Sequence, residues 1–208
     1  MSNAERHKVF ISYYHHDDQA YKDMLVNWNE KSEVFIDKSV DTGDISDDLP
    51  AETIRQKIRD EYLKDSTVTI VLVGKETAKR KHVDWEIYSS MRDGVVNKKS
   101  GIVVILLPSV TGENTHVYAP NGNDEHALYP ELSGWHEIES RDALMWGGFE
   151  YIPERIVDSI MAGAKISVTT WKAIDKDSSI LAKLIAFAHE NKESCEYDFS
   201  RPMRMRNS

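Results

Sequence analysis

Glu86 is the carboxylate best placed for chemistry in this chain. It follows Val68-Thr69-Ile70-Val71-Leu72-Val73, a β-branched run closed by Gly74, and lies where Val83, Ile87, Ser90 and Met91 recur at helical spacing. That pattern predicts a buried strand feeding a helix, with Glu86 half-buried at the edge of the helix's packing face. A carboxylate near the carboxyl end of a central strand stands where open α/β sheets place ligands. There it can accept hydrogen bonds from ligand hydroxyls and stabilise developing positive charge. His82, one helical turn earlier, is close enough to hydrogen-bond to Glu86 or bias its charge state.

Other chemistries lack the residues they require. No G-x-G-x-x-G follows the first apolar run, and Gly74-Lys75 continues as Glu76-Thr77, so neither a dinucleotide fingerprint nor a phosphate-binding P-loop forms. The acidic residues of a phosphoacceptor site are replaced by Tyr13-Tyr14 and Gly74-Lys75, and no G-x-S-x-G esterase elbow is present. His15-His16-Asp17-Asp18 lacks the i, i+4 spacing of a helical zinc motif and reads as a helix cap. Asp41, Asp44, Asp47 and Asp48 have the wrong spacing for calcium, with Ser46 where the loop glycine belongs, and read as a solvated acidic loop. The expected number of bound metals is therefore none.

At 208 residues the chain can bury a substantial core. Its net charge of −9 argues against nucleic acid or an anionic membrane as partner. One cysteine, Cys195, excludes an internal disulfide framework, which suits a reducing compartment. No run approaches the roughly 20 apolar residues of a membrane span, and Met1 to Lys8 has no apolar signal core. The expected setting is the cytoplasm.

The elements that would position Glu86 alternate. Lys8–Ser12 reads as a strand, Asp17 to about Glu30 as a helix with Tyr21, Met24, Leu25 and Trp28 on one face, and Val34–Asp37 as a second strand. After the acidic loop 38–50, a helix from Ala51 to Leu63, the central strand, the Glu86 helix and a strand at Gly101–Leu107 follow. Such alternation predicts a parallel sheet with helices on both faces. Beyond Pro108 the pattern breaks, and Ala143-Leu144-Met145-Trp146 is the expected fifth strand. Residues 1–150 are read as one domain. Residues 151–208 are read as a helical C-terminal extension, with helices at 153–164 and 178–191 and a disordered tail carrying Arg201, Arg204 and Arg206.

Lys8-Val9-Phe10-Ile11-Ser12-Tyr13, with Asp17 four residues after the tyrosine, resembles the opening F-I-S-Y-x-x-x-D box of bacterial TIR domains. Val34–Asp37 with Gly43 resembles their second strand and its loop, and Ser66 to Glu86 their third strand and following helix. The cluster His82-Val83-Asp84-Trp85-Glu86-Ile87 is most similar to the TIR-like proteins of Thoeris anti-phage defence, although that family commonly has tryptophan where this chain has His82. The resemblance spans about Lys8 to Pro108 and implies a flavodoxin-like fold.

It also implies cleavage of the nicotinamide–ribose bond of NAD, a substrate here rather than a cofactor, with Glu86 as the catalytic residue. Tyr13, Tyr14 and His15 follow the first strand, where rings can stack on nicotinamide or adenine. With Ser12, Asp37 and His82 they make up the expected substrate-binding set. The partners implied are NAD, other copies through TIR contacts, and an effector reached through an ADP-ribose-derived signal. Two other readings stay open: a non-catalytic TIR interaction module, and a nucleoside-processing transferase.

Overall fold

The β-branched run at the centre of the sequence is the middle of a five-stranded parallel sheet in the computed structural model, which describes residues 6–39, 49–94, 98–112, 117–118, 138 and 140–208. Strands β1 (Lys8–Ser12), β2 (Ile36–Asp37), β3 (Val68–Val73), β4 (Gly101–Leu106) and β5 (Ser167–Thr170) lie in the order β2-β1-β3-β4-β5. Every neighbouring pair is parallel. Strands β3 and β4 are buried along their whole length, as runs covered on both faces must be.

Alternating residues point to opposite faces and set up two layers. Val9, Ile11, Ile70, Leu72, Val103 and Ile105 share a layer with Leu25 of α1 (His15–Ser32) and with Leu181, Leu184 and Ile185 of a later helix over Ser178–Asn191. On the opposite face Val71, Val73, Val104 and Leu106 meet Val83, Ile87 and Met91 of α3 (Lys81–Met91). That face also takes α2 (Ala51–Lys57), which continues as a π-helical turn over Ile58–Tyr62, and Phe10, Ile54, Ile58, Leu63 and Trp85 form a further cluster there. A single turn, α4, spans Pro108–Thr111. Among the described residues no helix is long and apolar enough to cross a membrane.

The fifth strand is not where the sequence reading put it. Arg141–Leu144 is a 3-10 turn, and Met145 and Trp146 are exposed. Strand β5 lies instead at Ser-Val-Thr-Thr, a polar string that becomes a strand because β4 offers it a free edge. Residues 151–208 thus supply that edge strand as well as helices α5 (Glu154–Met161), α6 (Trp171–Lys176) and α7 (Ser178–Asn191). Arg201 is also held, through Asp158 at 2.8 Å and Glu154 at 3.2 Å, so the tail is docked rather than disordered. The reading of 40–48 as an acidic loop, with its four aspartates and Gly43, falls outside the described residues, as does most of 113–139.

Helix α7 lies so close to β4 that a Cβ on Gly101 would stand 2.1 Å from the Ala188 carbonyl oxygen. Backbone cannot yield there as a side chain would. Gly101→Ala is expected to cost about 3 kcal/mol, the upper end of overpacking penalties, read as a lower urea midpoint. A loss under about 0.5 kcal/mol would show that α7 shifts freely on the sheet.

Candidate active site

In a sheet of order 2-1-3-4-5, the direction in which successive strands are added reverses between β1 and β3, and the carboxyl ends of these parallel strands open the crevice where ligands bind. Ser12 ends β1 at this point and points, like Phe10, toward α3. Its hydroxyl donates a 2.6 Å hydrogen bond to Oε2 of Glu86. Ser12 is fully buried and Glu86 is 3 % exposed, so the carboxylate lies deeper than the half-buried edge expected of it. The cause is the neighbouring packing. Trp85 fills the Phe10, Ile54 and Leu63 cluster and draws the first turns of α3 onto the sheet. In such surroundings a fixed carboxylate acts more strongly on a nearby positive charge than it would in water.

The remaining residues of the expected set divide between the faces. Tyr13, next after Ser12, points to the other side of the sheet, where its ring is buried among Leu25 and Leu72 and its hydroxyl donates to Gln19 Oε1 at 2.7 Å. The structure therefore does not bring Tyr13 to Glu86. His15 stacks on that ring at 4.3 Å between centroids and stays with Tyr13. Tyr14, half-buried, lies under the Arg80 guanidinium at 4.2 Å and so bridges the end of β1 to the start of α3. Asp37 accepts the Ser39 N–H at 2.8 Å, and Ser39 Oγ accepts the Ile11 N–H at 3.0 Å, one strand away from the pair. His82, one turn before Glu86, meets the Trp85 ring edge-on at 4.9 Å.

A second buried carboxylate, Asp18, lies at the carboxyl end of β3 and was read in the sequence only as part of a helix cap. The residues read as a cap begin α1 instead, with Tyr14 at the cap position, and Asp18 in the first turn is 3 % exposed. It fits against Gly74, where a Cβ would stand 2.4 Å from Oδ1, and Thr77 donates to Oδ2 at 3.2 Å while its Oγ1 accepts the Gly74 N–H at 2.9 Å. The signal was available: Asp18, Tyr21 and Leu25 fall on one helical stripe, so Asp18 had to face inward.

Burial raises the Asp18 carboxyl from 3.8 to about 6, the Thr77 hydroxyl opposing and Asp17 reinforcing the rise. The folded protein thus holds a proton that the unfolded chain releases, and stability falls as pH rises between about 4 and 6. Asp18→Asn keeps an acceptor for Thr77 and is expected to gain about 1–2 kcal/mol at pH 7.5 after allowance for residual hydration. Thermal midpoints of both proteins across that window check this, since the variant should lose the acid-side rise. Parallel profiles would assign the proton elsewhere.

Glu86 is flanked on α3 by two further fixed side chains. Asp84 receives Arg155 in a two-point grip, Nε at 2.9 Å from Oδ1 and Nη2 at 3.1 Å from Oδ2, and Arg155 is itself 1 % exposed. Trp85 donates its indole N–H to the Arg204 carbonyl at 2.7 Å. Among the described residues no three His, Cys, Asp or Glu side chains are grouped to hold a metal ion.

Comparison with known proteins adds a family to this geometry. Residues 10–112 match the family described as Thoeris protein ThsB, TIR-like domain. A solved structure, that of the TIR domains of the activated Roq1 resistosome directly recognizing the pathogen effector XopQ, aligns at 10 % identity with a TM-score of 0.34, covering 93 % of this chain and 87 % of that one. No curated protein matches the sequence.

Proposed function

We propose, from the premise that residues 10–112 are a TIR-like domain of the Thoeris ThsB type, that this protein cleaves the nicotinamide–ribose bond of NAD in anti-phage defence. The observation that carries the reading is the buried Ser12–Glu86 pair at the β1/β3 crevice. When that bond breaks, its electron pair leaves with neutral nicotinamide and the ribose becomes oxocarbenium-like. In this reading Glu86 accepts the ribose hydroxyls and stabilises that charge, and the Ser12 hydroxyl, which donates to Oε2, fixes the carboxylate's orientation. Water, or an atom of the same nucleotide, then attacks the anomeric carbon. Tyr14, with Arg80 across its ring, offers a surface on which a base can stack.

The ADP-ribose-derived product would act in the cytoplasm as a signal to an effector protein, and TIR contacts between copies would assemble the active form. A second reading, a non-catalytic TIR interaction module, is favoured by one observation: Glu86 is 3 % exposed, so a substrate reaches it only when neighbouring groups give way. Incubating NAD with concentrated purified protein, with and without lysate of phage-infected cells, and following products by mass spectrometry tests the choice. Release of nicotinamide supports the enzyme, and product mass reports whether water attacked. No consumption under either condition favours the interaction module.

A further inference from the structure

We propose that residues 201–208 are a strap that positions Glu86, with Arg155 and Asp84 as positioning residues, an inference that rests on the catalytic reading of Glu86. The strap crosses the outer side of α3 and is read through its main chain. Arg155 Nη1 and Nη2 donate to the carbonyls of Arg201 and Pro202, both at 2.9 Å. The Arg204 N–H donates to Asp84 Oδ2 at 2.7 Å, beside the Arg155 grip on the same carboxylate, and the Arg204 carbonyl accepts from Trp85. Between these contacts Met203 is buried with Phe10, Ile54, Ile58, Leu63 and Trp85.

Farther along, Asn207 Oδ1 accepts the Lys81 N–H at 2.9 Å and the Ser208 N–H donates to the Lys79 carbonyl at 3.2 Å. Arg80, at the cap position of α3, makes no side-chain cap hydrogen bond, so Asn207 supplies the helix cap from 126 residues away. Asp84, Trp85 and Glu86 are consecutive and about 100° apart around the helix. The strap holds the first two while Ser12 holds the third. Helix α3 is therefore clamped from both sides, and its rotation and axial position, hence the 2.6 Å Ser12–Glu86 contact, are set jointly by β1 and the strap.

The test uses the full chain carrying Met203→Asp, which puts a charge into the Phe10–Trp85 pocket and expels the strap. Asn207→Ala, which removes the exposed side-chain amide that accepts the Lys81 N–H and leaves the core intact, serves as a milder second variant and decides the matter by exchange of residues 81–87 if the first does not fold. Amide hydrogen exchange of residues 81–87 and 201–208 is read by mass spectrometry, together with kcat and KM for NAD. Both segments are expected to exchange about tenfold faster or more, within an otherwise protected fold. The kcat for NAD is expected to fall about tenfold at nearly unchanged KM, and in Met203→Asp, whose own strap is expelled, a synthetic peptide of residues 200–208 in millimolar excess is expected to restore kcat and the protection of residues 81–87. A freely exchanging strap beside an α3 as protected as in wild type overturns the proposal, as does absence of rescue in Met203→Asp. If wild type consumes no NAD, the catalytic reading fails by itself, and exchange and peptide rescue still decide the strap.

Discussion

Glu86→Gln is expected to lower NAD consumption by about 10²–10³-fold while the thermal midpoint stays within a few degrees of wild type. The two effects separate because the amide oxygen of glutamine can accept the Ser12 hydroxyl that now reaches Oε2 at 2.6 Å, whereas its neutral group cannot offset the charge on a ribose losing nicotinamide. Ser12→Ala is the companion variant. It leaves the carboxylate in place without its orienting donor, so the loss should be smaller, about tenfold, and fall on kcat. Initial-rate measurements on the three proteins, with circular dichroism as a control for folding, read both effects. Turnover undiminished in Glu86→Gln would remove Glu86 from the chemistry. Silence in all three, with partner binding kept in the variant, would leave the interaction module as the better account.

Arg155→Ala is expected to carry the largest stability cost, about 3–5 kcal/mol, because it leaves Asp84 in a protein environment with its two guanidinium contacts gone. Arg155 is a hub: besides Asp84 and two strap carbonyls, its guanidinium lies 4.6 Å from the centroid of the Tyr88 ring. A loss of that size is a large part of the roughly 5–15 kcal/mol that holds a domain of this kind folded. The cost should shrink when Asp84 is removed as well, since Arg155→Met with Asp84→Leu exchanges a pair for packing rather than stranding one charge. Urea unfolding of Arg155→Met, Asp84→Leu and their double variant, beside Arg155→Ala, completes the cycle. A single-variant cost below about 1 kcal/mol would mean that water already solvates the pair, as at a surface ion pair.

What could be read along the chain follows from how local each cause is. Strands β1 and β3 and helix α7 begin and end where the sequence places them, because an unbroken β-branched run and a 3.6-residue apolar period are properties of adjacent residues. The place of Glu86 beside the third strand was legible for the same reason. That Ser12 and Tyr13 face opposite sides was legible too, although not which of them meets Glu86: a strand alternates, and two neighbours cannot both face one pocket.

Other features have causes distant in sequence. β5 is a polar tetrapeptide made a strand by pairing with β4, more than sixty residues earlier, while the more apolar Ala143–Trp146 run found no such edge. Asp18 gained its buried role from Gly74 and Thr77, and the tail gained order from Asp84 and Arg155. The sequence by itself determined the alternating parallel architecture and a carboxylate at its carboxyl edge, because short-range periodicity and strand burial suffice for those. Only the tertiary structure decided how deeply that carboxylate lies, that Ser12 rather than Tyr13 meets it, and that residues 201–208 hold its helix, because each depends on which side chains converge from remote segments once water is excluded.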